Sequence, residues 1–196
     1  MCNAFGNTIS YRAYVEAFDQ RRIPLKFESH APNFEPQEMI RPTDPAPVVR
    51  PAPGGGFELV RLRWGFSPTR PKAGPLINFR SEGRQFGPGR CLVPASHFFE
   101  YTGTKSPKTK WRFTRTGEDW FCFAGLWRRG QGPDGAPLDA FTLLTCEPGP
   151  DVAPIHNRQP VILEPSQWAD WLDSRSPSTP LIKPSPAGSL TVEKAS

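Results

Sequence analysis

Long apolar runs are missing from this 196-residue chain. No stretch approaches the ~18 consecutive apolar residues of a membrane-spanning helix, and the opening Cys2-Asn3-Ala4-Phe5-Gly6-Asn7 has no apolar core of a secretory signal. A soluble, cytoplasmic protein without membrane partners is the expectation. Cysteine and histidine are also scarce. Cys2, Cys91, Cys122 and Cys146 are far apart with no Cys-x-x-Cys, and the histidines are His30, His97 and His156 alone. That argues against a zinc centre and against a disulfide framework, and no cofactor is expected. Cys91 and Cys122 lie in apolar stretches and read as core, which leaves Cys2 as the thiol placed for chemistry.

Acidic residues are nearly absent from two segments. Between residues 61 and 90, Glu82 stands against Arg61, Arg63, Arg70, Lys72, Arg80, Arg84 and Arg90, and Lys105, Lys108, Lys110, Arg112 and Arg115 follow with no acid among them. Trp64, Phe66, Phe79 and Trp111 are interleaved with these charges. Guanidinium groups that pair phosphates, mixed with rings that stack on bases, suit a single-stranded nucleic-acid groove. A solvated basic face is the competing reading of the same residues.

The chain opens Met1-Cys2. Removal of Met1 would set a thiol and an α-amine on adjacent carbons, with reference pKa values of ~8.5 and ~7.7–8.0. An aldehyde meeting that pair forms a Schiff base with the amine, and the thiol then closes a five-membered thiazolidine. An amide or ester would instead meet a thiolate with its own amine as base. A chance cysteine at position 2 competes with both readings.

High proline (25) and glycine (17) content argues for short strands and stiff turns rather than a helix bundle. Ser10 is placed to cap a helix over 10–20, with Tyr11, Tyr14, Val15 and Phe18 on one face. Residues 24–56, which include His30, read as loop with a short strand at Pro47-Val48-Val49. Phe57 to Trp64 alternates as a half-buried strand. Apolar runs of strand length follow at 91–94, 97–101, 111–114, 120–127, 140–145 and 160–163, and a helix begins at Pro165 with Trp168, Trp171 and Leu172 facing the core. The expected fold is a single α+β domain over residues 2–173, mostly antiparallel strands in a barrel-like arrangement with a few packed helices. Residues 174–196 read as a loose Ser/Pro-rich tail.

Asn78 and Arg80 alternate along one strand and share a face; Glu82 continues that face, most simply as a salt-bridge partner of Arg80. Glu100, among Phe98, Phe99 and Tyr101, is placed for desolvation and a raised pKa. His156 suits proton transfer near neutrality, whereas His97 in an aromatic strand reads as structural or groove-lining.

Several segments in order carry a resemblance: Met1-Cys2, Leu62-Arg63-Trp64-Gly65-Phe66, Ile77-Asn78-Phe79-Arg80-Ser81-Glu82, Cys91 to Tyr101, Phe123-Ala124-Gly125-Leu126-Trp127 and Ile155-His156-Asn157-Arg158-Gln159-Pro160-Val161-Ile162-Leu163. The set resembles the SOS-response-associated peptidase (SRAP) family, which cross-links itself to abasic sites in single-stranded DNA. The resemblance implies that Cys2 forms the thiazolidine with the open-ring sugar aldehyde and that Asn78 orients the amine or the sugar. It implies that Glu100 is a general acid/base and that His156 assists ring opening. It places Arg80, Arg158, Trp64, Gly65 and Thr145 against DNA, and implies a monomer acting on abasic single-stranded DNA. Two positions depart from the family pattern: Ala4 stands where an arginine is usual, and Gln159 where a methionine is.

Three other functions fit parts of the sequence. An N-terminal-nucleophile amidohydrolase would use Cys2 but commonly needs an Asn-Gly pair, and none of the five asparagines precedes glycine. A thiol peptidase, limited at the least to removing Met1, would pair Cys2 with His156 and with Glu100 or Asn78. A plain single-strand-binding module would have no use for Cys2.

Overall fold

The computed structural model describes residues 2–26, 35–70, 72–132 and 135–195; His30 lies outside them. β1 (Phe5–Asn7) leads into α1 (Tyr11–Gln20), followed by β2 (Leu25–Lys26), β3 (Gln37–Ile40), β4 (Pro45–Pro51), β5 (Phe57–Trp64) and β6 (Asn78–Arg80). The central run is β7 (Arg90–Ala95), β8 (His97–Thr102), β9 (Thr109–Arg115), β10 (Phe121–Gln131) and β11 (Pro137–Cys146). Then come β12 (Gln159–Pro160), β13 (Ile162–Leu163), α2 (Trp168–Leu172) and β14 (Leu190–Ala195).

Strands β11, β10, β7, β4 and β5 are neighbours in that order, and β5 returns to pair with β11 in parallel, Ala140 opposite Arg63 and Phe141 opposite Trp64. The ring is thus a closed five-stranded barrel, which removes the open edges that an isolated sheet would expose. A second sheet runs β14-β9-β8-β1-β3. The α+β, barrel-like expectation holds.

Strand periodicity sorts the side chains into two cores. Phe121 and Phe123 face inward with Cys91, Val93 and Phe141, and pack on Phe5, Phe98 and Phe113 of the second sheet. Cys122, Ala124 and Leu92 face the other way, onto Tyr14 and Phe18 of α1 and onto Trp168, Trp171 and Leu172 of α2. Gly125 falls on the inward face, where a Cβ would lie 2.9 Å from both Cys91 Sγ and Val93 Cγ2, so no larger residue fits without repacking. Ser10 caps α1 as expected, its hydroxyl accepting from the Ala13 N–H at 3.2 Å.

The proline content of residues 24–56 conceals a longer strand than expected. β4 spans Pro45–Pro51 and pairs with β5 over its whole length, but with β7 only at Val49 opposite Leu92. Prolines lack a ladder donor, and a strand used fully on one side only tolerates them.

The segment from Ser174 is not a loose tail. The buried Ser178 hydroxyl accepts from Phe86 N–H at 2.8 Å, and the Asp151 carboxylate accepts from the N–H groups of Gly188 and Leu190 at 2.9 and 3.0 Å. β14 then pairs antiparallel with β9 from Leu190 opposite Arg115 to Ala195 opposite Lys110. Gln159 belongs to the same docking. Only 1% exposed, it accepts from Gly149 N–H at 2.6 Å and donates to Ser185 Oγ at 3.1 Å. A methionine there has no donor for Ser185 and accepts only weakly, so the departure at 159 is matched to the C-terminal segment. Leu190, 5% exposed, anchors β14 in the main core. Leu190→Ala is expected to cost about 2–5 kcal/mol in urea unfolding; an unchanged midpoint would mean that the segment does not dock in solution.

Candidate active site

The amino-terminal segment is placed by β1. Phe5 pairs with Phe98 and Gly6 with His97, and the Phe99 N–H donates to the Ala4 carbonyl at 3.0 Å. Antiparallel pairing carries the residues before Phe5 along β8 toward Glu100. Asn78, at the start of β6, closes on the segment from the barrel side, its Nδ2 donating to the Cys2 carbonyl at 2.7 Å. β6 is itself fixed by parallel pairing with β11, Leu143 opposite Asn78 and Thr145 opposite Arg80. The Oδ1 of Asn78 is buried and accepts no hydrogen bond from the described residues.

His156 approaches from the turn after β11, and its Nε2 lies 3.9 Å from Glu100 Oε2. Its Nδ1 is 3.0 Å from both the N–H and the carbonyl oxygen of Arg158. The N–H can only donate, so in the neutral ring Nδ1 accepts and the proton is assigned to Nε2, the nitrogen facing Glu100. A charged ring would instead donate Nδ1–H to the carbonyl. Burial lowers the pKa of His156 and raises that of Glu100 to about 7. Near neutrality Glu100 is therefore divided between acid and carboxylate beside a mostly neutral imidazole, a pair able to give or take a proton. Cys2 is fully buried; burial first, and the Glu100 charge second, push its thiol pKa well above the ordinary range. Asn3, Glu100, Tyr101, Lys108 and His156 line an open cleft of about 300 Å³ over this cluster.

The four residues expected to act chemically, Cys2, Asn78, Glu100 and His156, thus come together from positions far apart in sequence. Most of the expected DNA contacts do not. Trp64 is fully buried, donates Nε1–H to the Ile77 carbonyl at 3.0 Å and packs edge-on to Phe5 at 5.0 Å, so it offers no face to a base. Alternation placed it on the barrel-facing side of β5. Gly65 is buried at φ +106°, where a Cβ would lie 2.9 Å from Pro75 Cβ, and it serves the turn out of β5. Thr145 is also fully buried; its carbonyl accepts from Ser81 N–H at 3.0 Å and from Arg158 at 2.8 Å, and its hydroxyl from Arg158 at 3.1 Å.

Arg158 is 9% exposed and forks onto Glu82 through both terminal nitrogens. Glu82 therefore pairs with Arg158 and not with Arg80, and the Arg158 hydrogen bond holds its carboxyl below the usual range. Arg80 is exposed, with no acidic partner among the described residues. Ala4 is 3% exposed, so this position packs and holds no cation toward DNA.

The basic segments divide in the same way. Arg90 is 2% exposed and donates to the carbonyls of Phe86, Asp170, Asp173 and Ser176, while Arg112 and Arg115 pair with Glu193 and Glu164. Only Lys108 of the second run lines the cleft. Asn3 and Tyr101, unmarked in the sequence reading, could have been found as the neighbours of Cys2 and Glu100. His97 is structural: it is 1% exposed, with Nε2 3.0 Å from the Glu38 carbonyl.

The sequence model of the SOS response associated peptidase (SRAP) family matches residues 1–196. The chain belongs to the SRAP family. Among similar proteins is the abasic site processing protein YoaM of Bacillus subtilis, 30% identical over 192 residues, covering 91% of this chain and 82% of YoaM. Another is the abasic site processing protein YoqW of the same organism, 33% identical over 137 residues, covering 63% of this chain and 61% of YoqW. The match thus spans about three-fifths of YoqW. A crystal structure of a Bordetella bronchiseptica protein superposes over the whole of both chains with a TM-score of 0.76 at 23% identity. A Bacteroides thetaiotaomicron protein gives 0.77 at 16% identity, over the whole of this chain and 92% of the other. These two likenesses concern the SRAP fold alone.

The raised carboxyl pKa of Glu100 has a stability consequence. The folded state binds that proton more tightly than the unfolded chain, so Glu100 costs stability progressively as pH rises from ~4.3 toward the folded value, by at most about 4 kcal/mol. Glu100→Gln, which cannot ionise, is expected to melt above the native protein at pH 8, the gap closing as pH falls toward 4. Equal melting temperatures at both ends would show that Glu100 is not desolvated.

Proposed function

We propose that this SRAP-family chain handles abasic sites, and that after removal of Met1 it captures them in single-stranded DNA as a covalent thiazolidine on Cys2. The observation that carries this reading is the convergence of Cys2, Asn78, Glu100 and His156, with Asn78 holding the Cys2 carbonyl at 2.7 Å and His156 3.9 Å from Glu100. The names of YoaM and YoqW as abasic site processing proteins agree with it.

The chemistry needs each part. The Cys2 amine adds to the aldehyde carbon of the open-ring sugar, and the carbinolamine loses water to give an imine. The thiol sulfur then adds to the imine carbon, its proton ending on the ring nitrogen. Expelling water needs an acid and freeing the amine needs a base, and Glu100 with a pKa of about 7 can be either. In ring opening Glu100 as the carboxylate takes the proton of the anomeric hydroxyl, and His156 in its charged form gives its Nε2–H to the ring oxygen while Nδ1–H stays on the Arg158 carbonyl. Asn78 Oδ1, a buried acceptor, is suited to the freed amine or a sugar hydroxyl. A thiol-peptidase triad would need a thiolate, and both burial and the Glu100 charge oppose one at Cys2.

Mixing the protein with uracil-glycosylase-treated single-stranded DNA is expected to give an adduct that survives boiling in SDS. Intact mass should show Met1 absent. Cys2→Ala should lose the adduct and Cys2→Ser leave only a borohydride-trappable imine; a heat-stable adduct from Cys2→Ala would sink the assignment.

Noncovalent binding is assigned to exposed cations, first Arg80 at the end of β6, the strand that begins at Asn78. Arg80→Ala should weaken the binding of undamaged single strands and flatten the plot of log K against log salt by about 0.7, one phosphate contact. An unchanged slope places the strand elsewhere.

A further inference from the structure

Among the arginines expected to bind phosphate, Arg158 already holds an anion. Its two terminal nitrogens donate to the two oxygens of Glu82, one of them at 3.0 Å, and the second nitrogen also reaches Thr145 O and Oγ1 at 2.8 and 3.1 Å. The Arg158 Nε is buried and donates to no acceptor among the described residues. A guanidinium satisfied for structural reasons alone would not leave a buried donor unpaired, since each such group costs about 1–3 kcal/mol.

The two partners are also unequally exposed. The Arg158 side chain is 11% exposed and that of Glu82 is 42%. Glu82 thus covers the buried guanidinium from the solvent side. It stands two residues after Arg80, just beyond the end of β6, the strand whose first residue holds Cys2.

We propose that Glu82 is a specificity-determining residue, a built-in counter-anion of Arg158 that a phosphate of the bound strand must displace. Carboxylate and phosphate both accept the same two-pronged guanidinium bond, so the exchange is one anion for another in a preformed fork. The phosphate gains nothing by displacing Glu82 unless neighbouring contacts hold the strand in place. A loose anion or a short undamaged strand therefore engages Arg158 poorly, while a strand seated on Arg80 and the cleft engages it. The Arg158 backbone positions the ring nitrogen of His156, so filling the fork with phosphate sets the strand beside the proton-transfer pair. This inference rests on the single-strand reading given above and refines it.

The salt dependence separates the two. A phosphate that displaces Glu82 gives up its condensed cation to solution, but the freed carboxylate takes one back, so the net release is small; with Glu82 made neutral, the release counts in full. Anisotropy titrations of an undamaged single-stranded oligonucleotide at several salt concentrations are run with the native protein, Glu82→Gln, Arg158→Ala and the double variant. Glu82→Gln is expected to bind several-fold tighter at low salt, with a slope steeper by about 0.7. Arg158→Ala should weaken binding with little change of slope, and in its background Glu82→Gln should no longer steepen the slope. Glu82→Asp, which withdraws the carboxylate by one methylene, should give a smaller gain in the same direction and serves where the glutamine variant misfolds by circular dichroism. Native binding with no gain in Glu82→Gln or Glu82→Asp overturns the inference and leaves the single-strand reading standing. So does a steeper slope that persists without Arg158. No native binding at any salt concentration overturns both.

Discussion

The hydrogen bond from Asn78 to the Cys2 carbonyl is the constraint around which the site is arranged. It links the barrel, through β6, to the amino-terminal segment that the second sheet carries on β1. Without β6 alongside β11, Asn78 would not reach; without β1 alongside β8, Cys2 would not lie near Glu100. Each strand is short: β1 and β6 have three residues apiece. Their positions are set by longer neighbours, the six residues of β8 and the ten of β11. A site assembled from short elements clamped by long ones holds its geometry without having to supply its own stability, which suits groups whose burial is unfavourable.

Glu100 is the clearest unfavourable burial. A carboxyl 2% exposed in an aromatic strand is held near a pKa of 7 by desolvation, at a cost to folding that the surrounding Phe98, Phe99 and Phe113 packing offsets. The same desolvation that raises the Glu100 carboxyl raises the thiol of Cys2, so in the proposed reaction acid and nucleophile are tuned by one property of the site. Imine chemistry tolerates this and thiolate chemistry does not. An amine attacks first, and the thiol is required only after the imine carbon has become strongly electrophilic.

Much of this was legible in the sequence because period-two alternation and helix caps are local. The strands from Phe57 onward and the Ser10 cap follow from neighbours a few residues away. Alternation does not reveal what covers a face, however, and Trp64 is the instructive case. Its spacing on β5 correctly gave one side of a strand, but only closure of the barrel through β11 makes that side interior. Sequence proximity pairs Glu82 with Arg80, whereas the partner, Arg158, is 76 residues on and follows β11 in the chain. The C-terminal segment was misread for a related reason. Serine and proline suggest a loose tail, yet two buried serine hydroxyls, Ser178 and Ser185, and one buried amide, Gln159, help to dock it beside the β14–β9 ladder and Leu190. Such anchors are single polar atoms and leave no trace in composition.

The arginines show how far net charge overstates what a nucleic-acid strand can meet. Several of the cations behind the +5 formal excess are committed to the fold: Arg50 to Glu58 and Asp139, Arg90 to four carbonyls, Arg115 to Glu164, Arg158 to Glu82. Arg80 at the end of β6 and Lys108 at the cleft remain, and each phosphate contact contributes only a salt-screened share of affinity. Stacking adds little where Trp64 and Phe66 are buried. Noncovalent attraction of this size holds a strand briefly, and brief contact is enough if commitment comes from a bond. A protein that captures an aldehyde gains its selectivity from the chemistry of the lesion, since an intact nucleotide offers no carbonyl for the Cys2 amine. Strong nonspecific affinity would only hold it on undamaged strands. A nearly neutralised site beside a reactive terminus therefore matches covalent capture better than a densely basic groove would.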